Sequence, residues 1–579
     1  MTRPLTPANQ TLNRIGWTWQ DGLLLLLIFV MAVAIVKTGS QFTGPFDASL
    51  KISTDLSVLP GYTAQTLVRM AIAYFLSLSF TLIYAYIAYR FSLAALILIP
   101  LLDILQSIPV LSFLPGVVLA LITLFPGQQI GVELAAILLI FTGMAWNMIF
   151  SFYQSLCSIP RELKEAARIY RLNLWQRFWT LELPAGAIGL VWNSVMSVAG
   201  GWFFLIAIES FTLKDKDFRL PGLGSFLATA ASEGNFWAIG WGLAVLVSII
   251  LIIDFFVWRP LIAWAEKFKF QTVEATNAPQ SAVLDFLRRS PTLRIISERF
   301  WQPLQSAVDR GLVRAFPVSN LPANPPGRFA PIRWLNWLFV SGAAIIVLWG
   351  TWEAVLLLRV LTLADWQKVI VGAVLTALRV ICALALSLVW TVPVGVAIGR
   401  NPRLAQILQP LVQIAASVPA TALFPVLLLA LIHVGGGLQI GSIALMMLGT
   451  MWYILFNVIA GAQAIPAELF EAAFVYKLSI LERWRTLILP GIFPYLITGI
   501  ITAVGGAWNA SIVSEYVHFR GQVVTTIGLG ETISQATATG NFPLLLAATT
   551  VMSVLVVLTN RLVWRPLYKL AQEKYQLLI

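Results

Sequence analysis

Pro160, Glu162, Glu165, Ala166 and Ala167 recur as Pro466, Glu468, Glu471, Ala472 and Ala473, and every pair is 306 residues apart. A proline followed by acids suits a helix N-terminus, and the alanines favour its continuation. Neither segment holds a nucleophile, a base pair of groups or a set of metal ligands. A second group of polar residues sits inside otherwise apolar stretches: Ser107 and Ser417, each two residues before a proline, then Asn193, Ser194 and Trp202, and in the other half Trp508, Asn509 and Ser511. Polar side chains at membrane depth are costly unless they face a cavity or another helix, so they are candidates for lining a path. Asn and Ser can hydrogen-bond an oxyanion without a fixed counter-charge, and Trp supplies an apolar wall. The competing reading is interhelical glue between packed spans.

Bond-making chemistry has little to work with. There is no Gly-x-x-x-x-Gly-Lys-Ser/Thr phosphate loop. Of the two histidines, His433 has Thr123 at its repeat counterpart, and no metal site is expected. Cys157 and Cys382 fall in different halves near or within expected helices, so no disulfide framework is implied.

These residues must be held by membrane helices. The chain is 59% apolar and only 11% charged, with a mean hydropathy of +0.83, whereas a soluble globule carries roughly 25% charged residues. Leu23 to Val36, Met70 to Tyr89, Val132 to Phe152, Trp237 to Val257, Leu338 to Trp349 and Leu544 to Leu558 approach the ~20 residues that cross a bilayer as helix. With less clean spans between them the count is six per half and twelve in all, an all-α membrane fold. The first run follows a polar, Pro-containing start and has no small-residue cleavage site behind it, so it reads as a span.

The formal net charge of +12 could suggest nucleic acid, but its distribution points to a membrane instead. With a cytoplasmic N-terminus, the expected inner segments hold 28 of the 38 Lys and Arg, the positive-inside pattern. Six spans return the chain to its starting side, so the two units are parallel repeats about an axis normal to the membrane. The 306 spacing also relates Tyr170 to Tyr476, Leu183-Pro184 to Leu489-Pro490, Glu209 to Glu515, Gly222-Leu223-Gly224 to Gly528-Leu529-Gly530 and Trp258-Arg259-Pro260 to Trp564-Arg565-Pro566. Earlier spans align at 310, pairing Arg69 with Arg379, Arg90 with Arg400 and Pro109 with Pro419. The chain therefore divides into a first unit at 1–266, a basic, proline-punctuated linker at 267–333 and a second unit at 334–579. Within the linker, Leu293 to Val313 suits a helix on an anionic leaflet or a solvated tether, and both readings stand.

Each repeated polar loop runs from its Glu-Ala-Ala to a Leu-x-Leu-Pro stop, at Leu181 to Pro184 and at Leu487 to Pro490. In this the sequence resembles the permease subunits of ABC importers, whose inner loop has Glu-Ala-Ala, a Gly six residues after the Glu and a later Leu-Pro. The Gly is the departure: Arg171 and Lys477 occupy its place, which puts the local backbone shape in question. The resemblance implies a type I importer permease fold and two coupling helices, with Glu162, Glu165, Ala166, Ala167 and Arg171, and Glu468, Glu471, Ala472, Ala473 and Lys477, docking on ATPase subunits. It implies no cofactor in this chain, ATP and Mg in two partner ATPase subunits, an extracytoplasmic substrate-binding protein, and an inner-membrane location. The outer Gly-Leu-Gly pattern is most similar to the nitrate, sulfonate, taurine and bicarbonate group, and a small oxyanion is the expected substrate. In such importers the fifth span lines the path.

The alternative is an ion-gradient-driven secondary transporter with parallel six-helix repeats. It needs intramembrane carboxylates, but Asp103 has Gln413 as its counterpart and Asp254 has Asn560. Arg69 and Arg379, at the outer starts of their spans, are expected to snorkel. Glu209 and Glu515 read as loop anchors or gate contacts. The two loops also differ, with Lys164 against Phe470, Arg168 against Phe474 and Trp175 against Leu481, so the fused transporter is expected to be asymmetric, one copy serving two ATPase subunits.

Overall fold

A backbone in hydrocarbon must satisfy its own polar groups, and long apolar runs with scattered prolines do so as helices. The computed structural model describes residues 51–213 and 216–268, isolated positions between 281 and 311, and residues 333–418, 420–424, 427, 437–519 and 522–574. The expected first span, Leu23 to Val36, and most of the linker, including most of Leu293 to Val313, lie outside the described residues.

In the first unit α1 (Leu59–Arg90), α2 (Ser92–Ser107), α3 (Leu114–Leu124) and α4 (Gln129–Cys157) lead to two short helices, α5 (Arg161–Ile169) and α6 (Leu174–Arg177). The long α7 (Leu183–Glu209) follows, then a hairpin of β1 (Ser210–Leu213) and β2 (Lys216–Arg219), then α8 (Leu223–Glu233), α9 (Phe236–Ile253) and α10 (Arg259–Ala265). The described part of the second unit begins with α11 (Arg333–Leu358) and continues through α12 (Leu363–Arg400), α13 (Pro402–Ser417), α14 (Gly437–Ala464), α15 (Ala467–Val475), α16 (Ile480–Arg483), α17 (Leu489–Ser514), β3 (Tyr516–Phe519), β4 (Gln522–Thr525), α18 (Leu529–Thr539), α19 (Phe542–Thr559) and α20 (Arg565–Lys574), repeating the order of the first. Among the described residues eight helices are long and apolar enough to cross a membrane, and shorter apolar helices include Leu114–Leu124 and Leu348–Leu358. The architecture is the all-α type I permease fold.

Within each unit α4 packs between α1 and α7, and α14 between α12 and α17. Small residues permit that closeness: a Cβ on Gly186 would strike the Phe152 ring, and one on Gly499 would meet the α14 backbone at Tyr453. Across the units the elements exchange partners. Helix α9 packs on α13 and α19 on α2, while α8 touches β3 and α18 touches β1.

Two sequence expectations change form. The Leu-x-Leu-Pro segments do not stop a helix. They pass through widened π turns at Phe178–Glu182 and Trp484–Ile488 directly into α7 and α17. The same turn occurs at Asp254–Trp258 and Asn560–Trp564. All four end two residues before a proline, Pro184, Pro260, Pro490 or Pro566. Proline has no N–H for the i−4 carbonyl and its ring crowds it, so the helix widens by one residue rather than breaking. Conversely, Ser107-Ile108-Pro109 is more than a kink: α2 ends at Ser107 and Ile108 is extended, with φ −82° and ψ 123°. Helix α13 ends in the same way at Ser417, with Val418 at φ −74° and ψ 120°.

Candidate functional site

Each repeated loop forms an elbow of two short helices between long ones. Pro160 and Pro466 take extended ψ angles of 146° and 142° immediately before α5 and α15. Both helices then close in the same way. The Leu172 N–H donates to the Ala167 carbonyl at 3.0 Å and the Arg171 N–H to the Arg168 carbonyl at 2.9 Å. In the second elbow Leu478 donates to Ala473 and Lys477 to Phe474, both at 3.0 Å. This crossed pair of bonds needs a left-handed residue at its centre. Arg171 has φ 50° and Lys477 φ 53°, the only non-glycine residues with positive φ among those described. The turn that a Gly permits is therefore made without one, at about 1–2 kcal/mol each.

Past the turn, Asn173 caps α6 and exchanges bonds with Gln176, while Ser479 caps α16 and does so with Glu482. The elbow is thus defined by backbone bonds and caps at every junction. Ala167 and Ala473 are buried, whereas Glu162, Glu165, Arg171, Glu468, Glu471, Ala472 and Lys477 are exposed and Ala166 is half-buried. Beside them stand apolar side chains with no protein cover. Ile169 and Tyr170 are each 78% exposed, and Val475 and Tyr476 are 75% and 79% exposed. The second elbow adds Phe474, Ile480 and Leu481, all more than 70% exposed.

At the opposite ends of α7 and α17, a buried clamp replaces the expected snorkelling arginines. Arg69 is wholly buried, its Nε 2.5 Å from Glu133 Oε2 and its Nη1 2.8 Å from Glu209 Oε1. Thr66 Oγ1 donates to Glu209 Oε1 at 2.8 Å, and the Gly224 N–H donates to Glu209 Oε2 at 2.7 Å. In the second unit Arg379 pairs with Glu515 at 2.8 Å, and Thr376 and the Gly530 N–H bond the same carboxylate. The snorkelling expectation fails because each guanidinium is met inside the protein by a carboxylate and by further hydrogen bonds, which together offset its loss of hydration. Glu209 and Glu515 anchor the Gly-Leu-Gly loops, and a Cβ on Gly222 or Gly528 would overlap those carboxylates. Glu133 was not singled out in the sequence because its position in the repeat carries no acid.

Between the units, at mid-span, lies a cavity of about 180 Å³. Five of its lining pairs are 306 apart: Gly143 and Gly449, Asn147 and Tyr453, Met196 and Thr502, Gly200 and Gly506, Phe203 and Asn509. A cavity lined on opposite sides by repeat-related residues sits on the axis that relates the units. Asn509 lines it, accepting from the Val110 N–H across the interface at 3.0 Å. That donor is free because the chain breaks at Ile108-Pro109. Asn193 is half-buried and donates to the Gly189 carbonyl in its own helix. Ser194, Trp202, Trp508 and Ser511 are buried in the core, the first and last bonded to carbonyls in their own helices. The side chains of Ser107 and Ser417 lie outside the described residues. Face explains the difference: Met196, Gly200 and Phe203 follow one another at helical spacing along α7, and Ser194 and Trp202 fall on the opposite side.

The twin elbows have a counterpart among known families. The model of the binding-protein-dependent transport system inner membrane component matches residues 77–259 and again 391–564, more than half of the chain. The chain belongs to this family. It is a fused, two-unit importer permease, a multi-pass inner-membrane transport protein of the ABC class. The permease is 29% identical over 200 residues to the nitrate import permease protein NrtB of Leptolyngbya laminosa, covering 34% of this chain and 64% of that protein. It is 30% identical over 139 residues to the bicarbonate transport system permease protein CmpB of a Synechocystis species, covering 24% and 48%. With the taurine transport system permease protein TauC of Escherichia coli it shares 28% identity over 171 residues, covering 30% and 57%. The permease thus spans less than two thirds of the length of each of these relatives.

Proposed function

We propose that this chain supplies both halves of the translocation path of an ATP-driven importer and receives work from two separate ATPase subunits at its two elbows. The chain divides for this purpose into a first permease unit at 1–266, a cytoplasmic linker at 267–333 and a second unit at 334–579. ATP and Mg belong to the partners, and an extracytoplasmic binding protein delivers the substrate to the hairpin-bearing face. The cargo is a small oxyanion of the nitrate, bicarbonate, taurine or sulfonate kind, as the names of the relatives suggest. The coupling residues are Glu162, Glu165, Ala166, Ala167 and Arg171 with Glu468, Glu471, Ala472, Ala473 and Lys477. The elbow face lies in the cytoplasm, where the basic residues concentrate.

One observation carries this reading: both elbows hold the same crossed turn at a residue that resists it, and both present bare Ile/Val and Tyr side chains beside their acids. Large exposed apolar residues beside charge on a rigid support are what a protein partner covers. A loop that merely joined two spans would have no use for them. Affinity purification of the chain from native membranes should retain a nucleotide-binding protein, and native mass spectrometry should count one copy of this chain with two such subunits. Recovery without any nucleotide-binding partner, or ATP hydrolysis by the isolated chain, would reject the reading. The secondary-transporter alternative gains nothing from Asp254, which pairs with Arg259 at 2.9 Å at a helix end.

A further inference from the structure

The mid-span cavity on the axis is chemically lopsided. Asn147 faces the position of Tyr453, Phe203 that of Asn509, and Met196 that of Thr502. Among its described lining residues none is charged. Ser197 is the telling member: it is 1% exposed, lines the cavity, and its hydroxyl has no hydrogen-bond partner among the described residues. A buried hydroxyl left unpaired costs about 1–3 kcal/mol. Something that enters the cavity can repay it.

A second cavity of about 300 Å³ lies toward the hairpin face, and Arg219 is the one charged side chain among its described lining residues. Two cross-unit bonds stand at the boundary: Thr421 Oγ1 to the Phe203 carbonyl at 2.8 Å, and the Val110 N–H to Asn509. The hairpin-side cavity touches Ala207 on α7 and Ser210 and Phe211 on β1, the mid-span one Met196 to Phe204 on α7, so those bonds stand between the two.

We propose that the mid-span cavity is a transient binding site for a small oxyanion, held by neutral donors from both units: the hydroxyl of Ser197 and the amide of Asn147 on one side of the axis and the phenol of Tyr453 on the other. Trp146 and Phe204 form its apolar wall. The inference rests on the oxyanion-importer reading and adds to it the residues that touch the cargo. Donors of this kind stabilise an anion in a low-dielectric site, while the absence of a fixed cation keeps it from being trapped. A conducting site must be attractive enough to enter and weak enough to leave. The volume, well above what a single water needs, admits an anion of a few heavy atoms. Arg219 draws the anion into the outer cavity, where its counterpart at Thr525 carries no charge.

The test uses the whole complex, with its ATPase subunits and binding protein, in proteoliposomes loaded with ATP. Labelled nitrate, bicarbonate and taurine are the probes. For whichever is taken up, Ser197→Ala should lower uptake about tenfold, as expected for a lost hydrogen bond to a charged group. Asn147→Asp should abolish uptake by setting a carboxylate against the anion. Ser197→Thr and Asn147→Gln should restore much of it, and the yield of assembled complex reports folding in each case. Uptake by assembled Ser197→Ala and Asn147→Asp complexes at the wild-type rate would overturn the site and leave the importer reading standing. A wild-type complex that moves none of the three anions would overturn the oxyanion reading and the site together.

Discussion

At Arg171 and Lys477 the backbone keeps a shape that the side chain opposes, so their own substitution is informative. Replacing either by Gly removes the left-handed penalty of about 1–2 kcal/mol, offset in part by the greater entropy Gly gives the unfolded chain. Limited proteolysis at the elbow should therefore slow or stay unchanged in Arg171→Gly and Lys477→Gly, and accelerate in Arg171→Val, whose branched side chain tolerates positive φ worst. The buried clamps give a contrast of a different kind. Arg69→Ala leaves Glu133 and Glu209 without their cation and should cost about 3–5 kcal/mol. Arg379→Ala leaves only Glu515 so, and since Glu209 and Glu515 keep equivalent bonds from Thr66 and Gly224 and from Thr376 and Gly530, it should cost less by the share of Glu133. Thermal unfolding of the two variants in nanodiscs reads the order directly, and equal losses would count against the clamp as drawn. The repeat made Arg69, Arg379, Glu209 and Glu515 visible in the sequence. Their pairing inside the protein was not visible, and for Arg69 it also depends on Glu133, which has no acid at its repeat position.

Among the elements, each elbow must be fastened to the long helices if it is to move them. In the first unit the Lys164 ammonium lies 5.6 Å from the centre of the Tyr89 ring, at the end of α1. Arg177 Nη2 reaches the Tyr89 hydroxyl at 3.4 Å and its Nε pairs with Glu182 at 2.7 Å. The second unit makes the same contact with the roles exchanged: the guanidinium of Arg400, at the end of α12, covers the Phe470 ring. Cation and ring have changed places while the junction persists. Lys164→Phe should then be tolerated, because Arg90, the counterpart of Arg400, supplies the cation. Phe470→Lys faces Arg400 with a like charge, while the position matching Tyr89 is Gly399. It should weaken binding-protein stimulation of ATP hydrolysis about two- to fivefold, the range set by a contact of about 0.5–1 kcal/mol. An unimpaired Phe470→Lys complex would show that the junction transmits nothing. The Lys164-for-Phe470 difference was plain in the sequence, and so were the prolines behind the four π turns. What sequence could not supply was the face of α7 that meets the axis: Ser194 and Asn193 turn to carbonyls of their own helix, and Met196, Ser197, Gly200 and Phe203 do the lining.

Over the whole molecule, the two units are joined by an interface that does not require the chain to be continuous. Helices α2 and α19, α13 and α9, and the hairpins with the short helices of the opposite unit, interlock in a pattern that the repeat generates twice. The bonds from Thr421 to Phe203 and from Val110 to Asn509 tie the halves at the level of the axis. If those contacts hold the pore together, the linker acts chiefly by keeping the halves at a high mutual concentration. Residues 1–300 and 301–579, produced as separate chains in one membrane, should therefore co-purify through a tag on either one. Confinement to a bilayer replaces part of the lost tethering, so the split complex should form in membranes and fall apart progressively as detergent dilutes it. Asn509→Leu, which removes the acceptor for the freed Val110 N–H, should hasten that dissociation more in the split protein than it destabilises the fused one. Halves that fail to find each other in the membrane would mean that the linker, and not the interlocked helices, builds the pore.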